Sequence, residues 1–271
     1  MRTTPVPLSF GWVLAAALAG CVVTPYELQP TPVDSPLETY DASEQAPEPP
    51  PPLPVYEQPP PPEDGYIWTP GVWRWGPEGY FWVPGTWVAP PAPGLLWTPG
   101  YWALTGTAYV FHPGYWGRHV GYYGGINYGG GYTGAGFVGG RWDNDHRFHY
   151  NTAFTNVNTT TVRNTYRETG IGHRDIGSPG VPRAGYVGAP GVRPVQPTRT
   201  ESTFAREPRT GLTAPQYQHR DTARSSPQQF AVRNEGRPPV AATPRAGAFT
   251  GQGVTAAKPV GPVYHPQQRP H

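Results

Sequence analysis

The sequence predicts a small all-β module of tandem aromatic hairpins, a β-meander, flanked by long disordered Pro/Gly-rich segments. Three observations carry this. First, a six-residue unit, aromatic-x-Pro-Gly-x-Trp, occurs four times: Trp68 to Trp73, Trp82 to Trp87, Trp97 to Trp102 and Phe111 to Trp116. Its leading aromatics are 14, 15 and 14 residues apart, and self-similarity at a near-fixed period dictates architecture before any single residue does. Second, nine of the ten Trp fall between Trp68 and Trp142, so the material for a core is concentrated there. Third, 39 Pro and 35 Gly make up more than a quarter of the 271 residues, a composition that elsewhere leaves too little to bury.

The N-terminus sets the compartment. Arg2 gives a short positive region, Phe10 to Leu18 an apolar one, and Leu18-Ala19-Gly20 places small residues before Cys21, the only cysteine. This resembles a bacterial lipoprotein signal over residues 1–20, which implies cleavage after Gly20 and lipidation of Cys21 as the first mature residue. The apolar run is too short to span a bilayer. With Cys21 used, no cysteine remains for a disulfide. Val22, where an Asp would mark inner-membrane retention, implies the outer membrane under the usual enterobacterial pattern.

Residues 21–64 are acidic and proline-rich and read as a tether, stiffest over 47–62, where polyproline II at ~3.1 Å per residue would extend about 50 Å. Docking of this stretch in an aromatic groove is the second reading.

Residues 65–150 form the expected repeat module. Pro-Gly suits the centre of a type II turn, whose twist is wrong for a tight hairpin, so each Pro-Gly is read as a corner between hairpins. The tips then fall at Gly76-Pro77-Glu78-Gly79, at 89–94 and at 105–108. This register pairs Trp75 with Tyr80, Arg74 with Phe81, Trp73 with Trp82, Val72 with Val83, Trp87 with Trp97, and Trp102 with Phe111. Aromatic cross-strand pairs of this kind stabilise a sheet by roughly 0.2–1 kcal/mol each. The repeat aromatics Trp68, Trp73, Trp82, Trp87, Trp97, Trp102, Phe111 and Trp116 are read first as core and second as an open stacking face.

The Gly/Tyr stretch 120–140 reads as loops packing closely on the Trp face rather than as a membrane span or a helix-packing zipper. Asp143 to His149 gathers carboxylates and imidazoles without calcium-loop or zinc spacing, so it reads as a solvated turn before a strand at Arg147 to Tyr150, with no metal. Residues 151–168, rich in Asn and Thr, read as one or two strands. Residues 169–271 read as a mostly disordered tail with short capped helices near 213–221 and 227–235.

The stretch "YIWTPGVWRWGPEGYFWVPGTW", the pair "LLWTPGYW" and "VFHPGYWGRHVGYYGGINYG", "GGRWDN" and the late "GRPPVAATPRAGAF" together resemble the YXWGXW-repeat lipoproteins of Gram-negative bacteria. The resemblance implies an envelope location and no biochemical activity. No Gly-x-Ser-x-Gly, phosphate-binding loop or His-Glu-x-x-His is present, and no cysteine is left as a nucleophile, so no catalytic residues and no cofactor are expected. A net charge of +2 gives no case for nucleic acid. The expected function is a lipid-anchored, non-enzymatic envelope protein with a structural or interaction role. Its partners are the membrane, through the lipid, and either envelope glycan or another envelope protein. The alternative is a module that binds peptidoglycan or exopolysaccharide through exposed Trp and Tyr.

Overall fold

A computed structural model describes Met1, residues 44–170, 183–189 and 195–259, and Tyr264. Cys21, the signal segment and the first part of the tether lie outside the described residues. All elements below belong to the compact unit Pro36–His271. It is built mostly of small β-hairpins with few helices, and its aromatic clusters lie in the repeat region, as the sequence predicts.

The pairing order is not that of a meander. Strands β2 (Ile67–Thr69) and β3 (Val72–Gly76) form one arm of a hairpin, and β4 (Gly79–Val83) and β5 (Gly85–Val88) form the other. β3 pairs with β4 as expected, from Gly76↔Gly79 to Val72↔Val83, but β5 turns back onto β2, with Trp68 opposite Trp87. The register is continuous through both ladders, so Ile67 to Val88 is a single long hairpin. Its two Pro-Gly pairs face each other as a kink in opposite arms. The same construction recurs 29 residues on. β6 (Leu96–Thr98) pairs with β9 (Tyr115–Gly117), and β7 (Tyr101–Thr105) with β8 (Ala108–His112), in one register from Leu96↔Gly117 to Thr105↔Ala108. Trp97 therefore faces Trp116 and not Trp87, and residues 89–95 connect two hairpins instead of tipping one. The two true tips use glycine where φ must be positive: Gly79 at φ 100° after Pro77-Glu78, and Gly106 at φ 63° at the first loop position, where a II′ turn takes glycine.

The Pro-Gly pairs also differ from expectation. A type II turn needs positive φ at its glycine, and none of Gly71, Gly85, Gly100 or Gly114 has it. What these glycines supply is space. A Cβ on Gly71 would lie 2.2 Å from the Trp82 ring, on Gly85 2.6 Å from Trp68, on Gly100 2.6 Å from Phe111 and on Gly114 2.5 Å from Trp97. Each leading aromatic lays its ring edge across the glycine backbone of the opposite arm.

Both flanks, where described, fold onto this pair of hairpins, which corrects the free tether over 44–64 and the disordered tail over 195–259. Pro50, Pro51, Leu53, Pro54, Pro59 and Pro61 are buried. Strand β1 (Gln45–Ala46) extends β8, β15 (Tyr186–Val187) pairs in parallel with β7, and β16 (Ala242–Thr243) in parallel with β5. Each addition covers a sheet edge that would otherwise offer unpaired backbone groups. The tail carries α1 (Arg199–Phe204), α2 (Ala214–Arg224), a 3₁₀ turn at Pro227–Gln229 and α3 (Ala231–Asn234). The helix expected near 213–221 is thus α2, begun by a Thr213–Gln216 capping box, and that near 227–235 is split in two. Phe81, Ala223 and Phe230 form a second small core where the tail meets β4.

The Gly/Tyr stretch packs as loops with short strands β10 (Asn127–Gly129) and β11 (Tyr132–Thr133). The Tyr132 hydroxyl lies 3.0 Å from the Trp68 carbonyl and 2.9 Å from that of Trp97, and so ties together equivalent positions of the two hairpins. Tyr128 donates to the Gly100 carbonyl at a kink. Burial pushes both phenols well above their ordinary value and keeps them as donors. Strands β12 (Gly140–Trp142), β13 (Phe148–Asn151) and β14 (Thr165–Tyr166) close the region, β13 lying where a strand is expected and β14 being the only strand wholly within the Asn/Thr-rich segment.

Candidate functional site

The structure brings the eight repeat aromatics together as four cross-strand pairs. Ring centroids are 5.3 Å apart for Trp68–Trp87, 5.1 Å for Trp73–Trp82, 5.3 Å for Trp97–Trp116 and 5.2 Å for Trp102–Phe111, all tilted or edge-to-face. Aromatic pairs prefer such angles because the positive ring edge meets the negative face. All eight rings are buried, the most accessible being Trp97 at 6%. Of the two readings of this face, core is the one observed.

Their indole N–H groups explain why the flanks are held. Trp73 donates to the Pro52 carbonyl at 3.2 Å, Trp87 to Pro59 at 2.7 Å and Trp82 to Ala241 at 3.0 Å. Trp116 donates to the Gln216 side chain at 2.8 Å, and Trp102 crosses to the Trp73 carbonyl at 2.7 Å. A buried indole needs an acceptor, and a Pro-rich chain offers carbonyls with few N–H groups competing for them. The repeats therefore bind their own polyproline segment much as aromatic grooves bind Pro-rich peptides. Between the hairpins, the buried Arg74 guanidinium lies 4.3 Å over the Phe111 ring and 2.7 Å from the Glu44 carboxylate.

The four kinks and α2 enclose a cavity of about 60 Å³. His219 of α2 lines it, buried, with one ring nitrogen 2.9 Å from the Pro84 carbonyl and the other accepting the Gly247 N–H at 2.9 Å. Desolvation holds this imidazole down at about 4, against the raising effect of the Pro84 contact. Neither His219 nor Gln216 stands out in the sequence, because both lie in a stretch with low-complexity composition.

The hairpin faces opposite the Trp rows differ. In the first, the positions flanking the kink are Thr69, Val72, Val83 and Thr86, which line the cavity with α2 and with Trp97, Pro99, Phe111 and Pro113 of the second hairpin, while the Thr243 hydroxyl of the neighbouring β16 lies 2.8 Å from that of Thr86. In the second, the equivalent positions are Thr98, Tyr101, His112 and Tyr115. They line an open groove of about 400 Å³, whose far wall includes Glu201 of α1 and Arg209. The His112 ring is exposed and stacks on Tyr101 at 4.5 Å with planes 9° apart. Arg209 lies 4.8 Å over Tyr115, and Tyr122 fixes the tail by donating to the Val195 carbonyl at 2.6 Å. Burial raises the Tyr101 phenol to about 12 and lowers the His112 imidazole, so both rings are neutral at pH 7. The sequence signal for this face is the residue before each closing Trp: Val72 and Thr86 in the first hairpin, Tyr101 and Tyr115 in the second.

The Asp143–His149 cluster is a self-contained turn. His146 adopts φ 59°, and Asp145 accepts the Arg147 N–H and lies 3.3 Å from His149. Among the described residues no three His, Cys, Asp or Glu side chains are grouped to hold a metal, and no helix is long and apolar enough to cross a membrane.

The boundaries of the two hairpins decide the relation to known sequences. A repeat pattern described as the WXXGXW repeat is matched twice, over residues 64–88 and 93–116, one match per bent hairpin. The chain carries two copies of the WXXGXW repeat. The glycine of that pattern is the one crossed by the opposing ring, and its two Trp positions are the two cross-strand pairs on either side of the kink. No curated protein and no solved structure matches the chain.

Proposed function

We propose that this chain is a lipid-anchored, non-enzymatic protein of the Gram-negative cell envelope, held at the outer membrane through Cys21. Its WXXGXW unit serves there as a rigid structural or interaction module. The anchor rests on Leu18-Ala19-Gly20-Cys21, with the sole cysteine at the modification point. The observation that carries the structural role is that every repeat aromatic is spent on the core, and that the indoles of Trp73, Trp82, Trp87 and Trp116 bind the chain's own flanks. A motif used this way specifies a fold, and partners meet what the fold displays. Two or more acyl chains give stable anchoring, at ~0.8 kcal/mol per buried CH₂.

Intact-mass measurement of membrane-extracted protein should show a mature chain beginning at Cys21 and carrying acyl groups. A Cys21→Ala variant should leave the outer-membrane fraction, and its retention there would refute the anchor. The glycan alternative, framed on exposed Trp and Tyr, has no open face among the eight repeat aromatics to use. It attaches instead to the tyrosine and histidine rings on the outer face of the second hairpin.

A further inference from the structure

The groove over the second WXXGXW hairpin has the chemistry of a carbohydrate site. Its volume, about 400 Å³, is in the range of small-ligand sites, ~300–1,000 Å³. Its floor is neutral and aromatic, with polar tips: the exposed His112 ring stacked on Tyr101, with Tyr115 and Tyr122 beside it. Its far wall brings one carboxylate, Glu201, and one guanidinium, Arg209. One charge of each sign suits a neutral ligand rich in hydroxyls, and a phosphorylated one would call for an excess of cations. Glu201 already accepts from the Thr198 N–H and hydroxyl and Arg209 lies over Tyr115, and covering them with an apolar peptide would strip both charges of solvent without adding a hydrogen bond. A pyranose has an apolar C–H face for the negative face of a flat ring and a rim of hydroxyls for charged groups. The first hairpin has Val72, Val83 and Thr86 at the equivalent places, closed in by α2 and the second hairpin, so the site is particular to the second copy.

We propose that this groove binds a saccharide, with the exposed His112 ring carrying the apolar face of a pyranose and Tyr115, Glu201 and Arg209 taking its hydroxyls. The proposal uses the envelope reading only to choose probes. Its failure is distinct from the anchor's, which is read by fractionation of Cys21→Ala.

The test is calorimetric titration of the full mature chain with three probes: a β-1,4-linked N-acetylglucosamine trimer, cellotriose and maltotriose. At least one should bind saturably. His112→Ala, at an exposed ring, and Glu201→Gln, which keeps a residue able to complete the α1 capping box, should each weaken that binding about tenfold or more. Leu104→Ala, exposed near the tip of the same hairpin, should leave it unchanged. Circular dichroism and melting of each variant show whether it is folded. Absence of saturable binding to all three sugars by the folded chain overturns the proposal. So does binding that survives both His112→Ala and Glu201→Gln.

Discussion

The two WXXGXW hairpins share a register, a kink and a set of ring pairs, yet one is sealed and the other open. On the first, the positions beside the kink on the face opposite the Trp rows are Thr and Val, and α2 and the second hairpin close over them. On the second, the same positions hold Tyr101, His112 and Tyr115, and the tail stands off far enough to leave a groove. The inward face is constrained by the fold, because every ring there meets a ring and each leading ring also crosses a glycine. The opposite face is where sequence varies without breaking the hairpin. Repetition thus supplies a scaffold, and the departure from it supplies a surface.

The comparison breaks most severely at the kinks. Gly71→Ala places a Cβ 2.2 Å from the Trp82 ring and 2.9 Å from the Gly85 backbone, between partners that are themselves packed. We expect it to cost about 3 kcal/mol or to prevent folding, at the upper end of overpacking effects. Gly100→Ala, 2.6 Å from the Phe111 ring and 2.9 Å from both the Gly114 nitrogen and the His112 carbonyl, should cost a comparable amount. Equilibrium denaturation of both variants measures the two costs. Small effects in both would mean that the glycines serve some purpose other than ring clearance.

Acid should act on the sealed side first. His219 takes up its proton near 6.5 in the unfolded chain but is held to about 4 in the folded one, so proton binding favours unfolding. The groups around it offer an incoming proton little help: Arg74 and Arg220 line the same cavity, and Gly247 N–H already donates to the ring. Stability should be constant above about pH 6.5, fall between about 6.5 and 4, and lose no more from this group below that, at most about 3 kcal/mol. His219→Gln should flatten that slope in a pH series of melts.

The ring pairs give a finer test. Trp73→Ala with Trp82→Ala should couple by about 0.5–3 kcal/mol, as for residues in contact, and so should Trp97→Ala with Trp116→Ala. Trp68→Ala with Trp73→Ala should couple less, since the two rings pair with different partners along one hairpin. Coupling between Trp87 and Trp97, the pairing a meander requires, should be weaker than either.

What the sequence makes legible follows from where its signals act. The ladders next to the two tips, Trp73↔Trp82 and Trp102↔Phe111, can be counted outward from residues that must turn. The ladders beyond the kinks cannot, because Pro-Gly has two physical uses that share one spelling. A glycine needed for positive φ turns the chain, whereas a glycine needed for clearance lets a ring pass, and only the second operates at Gly71, Gly85, Gly100 and Gly114. The folded flanks are illegible for another reason. Composition judges a segment by what it buries, and these segments are held largely by what they accept: the carbonyls of Pro52, Pro59 and Ala241, and the side chain of Gln216, each taking an indole N–H. A tail with little apolar content is kept in place by donors that belong to the repeats. The groove is legible only in hindsight, as the change from Val72 and Thr86 to Tyr101 and Tyr115 before the closing Trp.

The smallest expected effect on stability is also the most informative about function. Replacing Tyr101 and His112 together by Val gives the second hairpin the corresponding pair of the first, where Val72 and Val83 stand opposite each other. The register should hold, because the inward pair Trp102–Phe111 and the tip at Gly106 are untouched. The loss is one cross-strand stack between a half-buried and an exposed ring and the edge contact of Tyr101 with Tyr122, about 1 kcal/mol together, partly offset by the β propensity of Val. The reverse graft, Val72→Tyr with Val83→His, should cost more, about 1–3 kcal/mol, since the cavity beneath α2 is only about 60 Å³. If the Tyr101/His112 double variant melts almost as the parent does, the open face is not retained for the sake of the fold. A loss as large as that of Gly71→Ala would instead show that the stack holds the tail against the second hairpin, and the two copies would then differ only in how they are sealed.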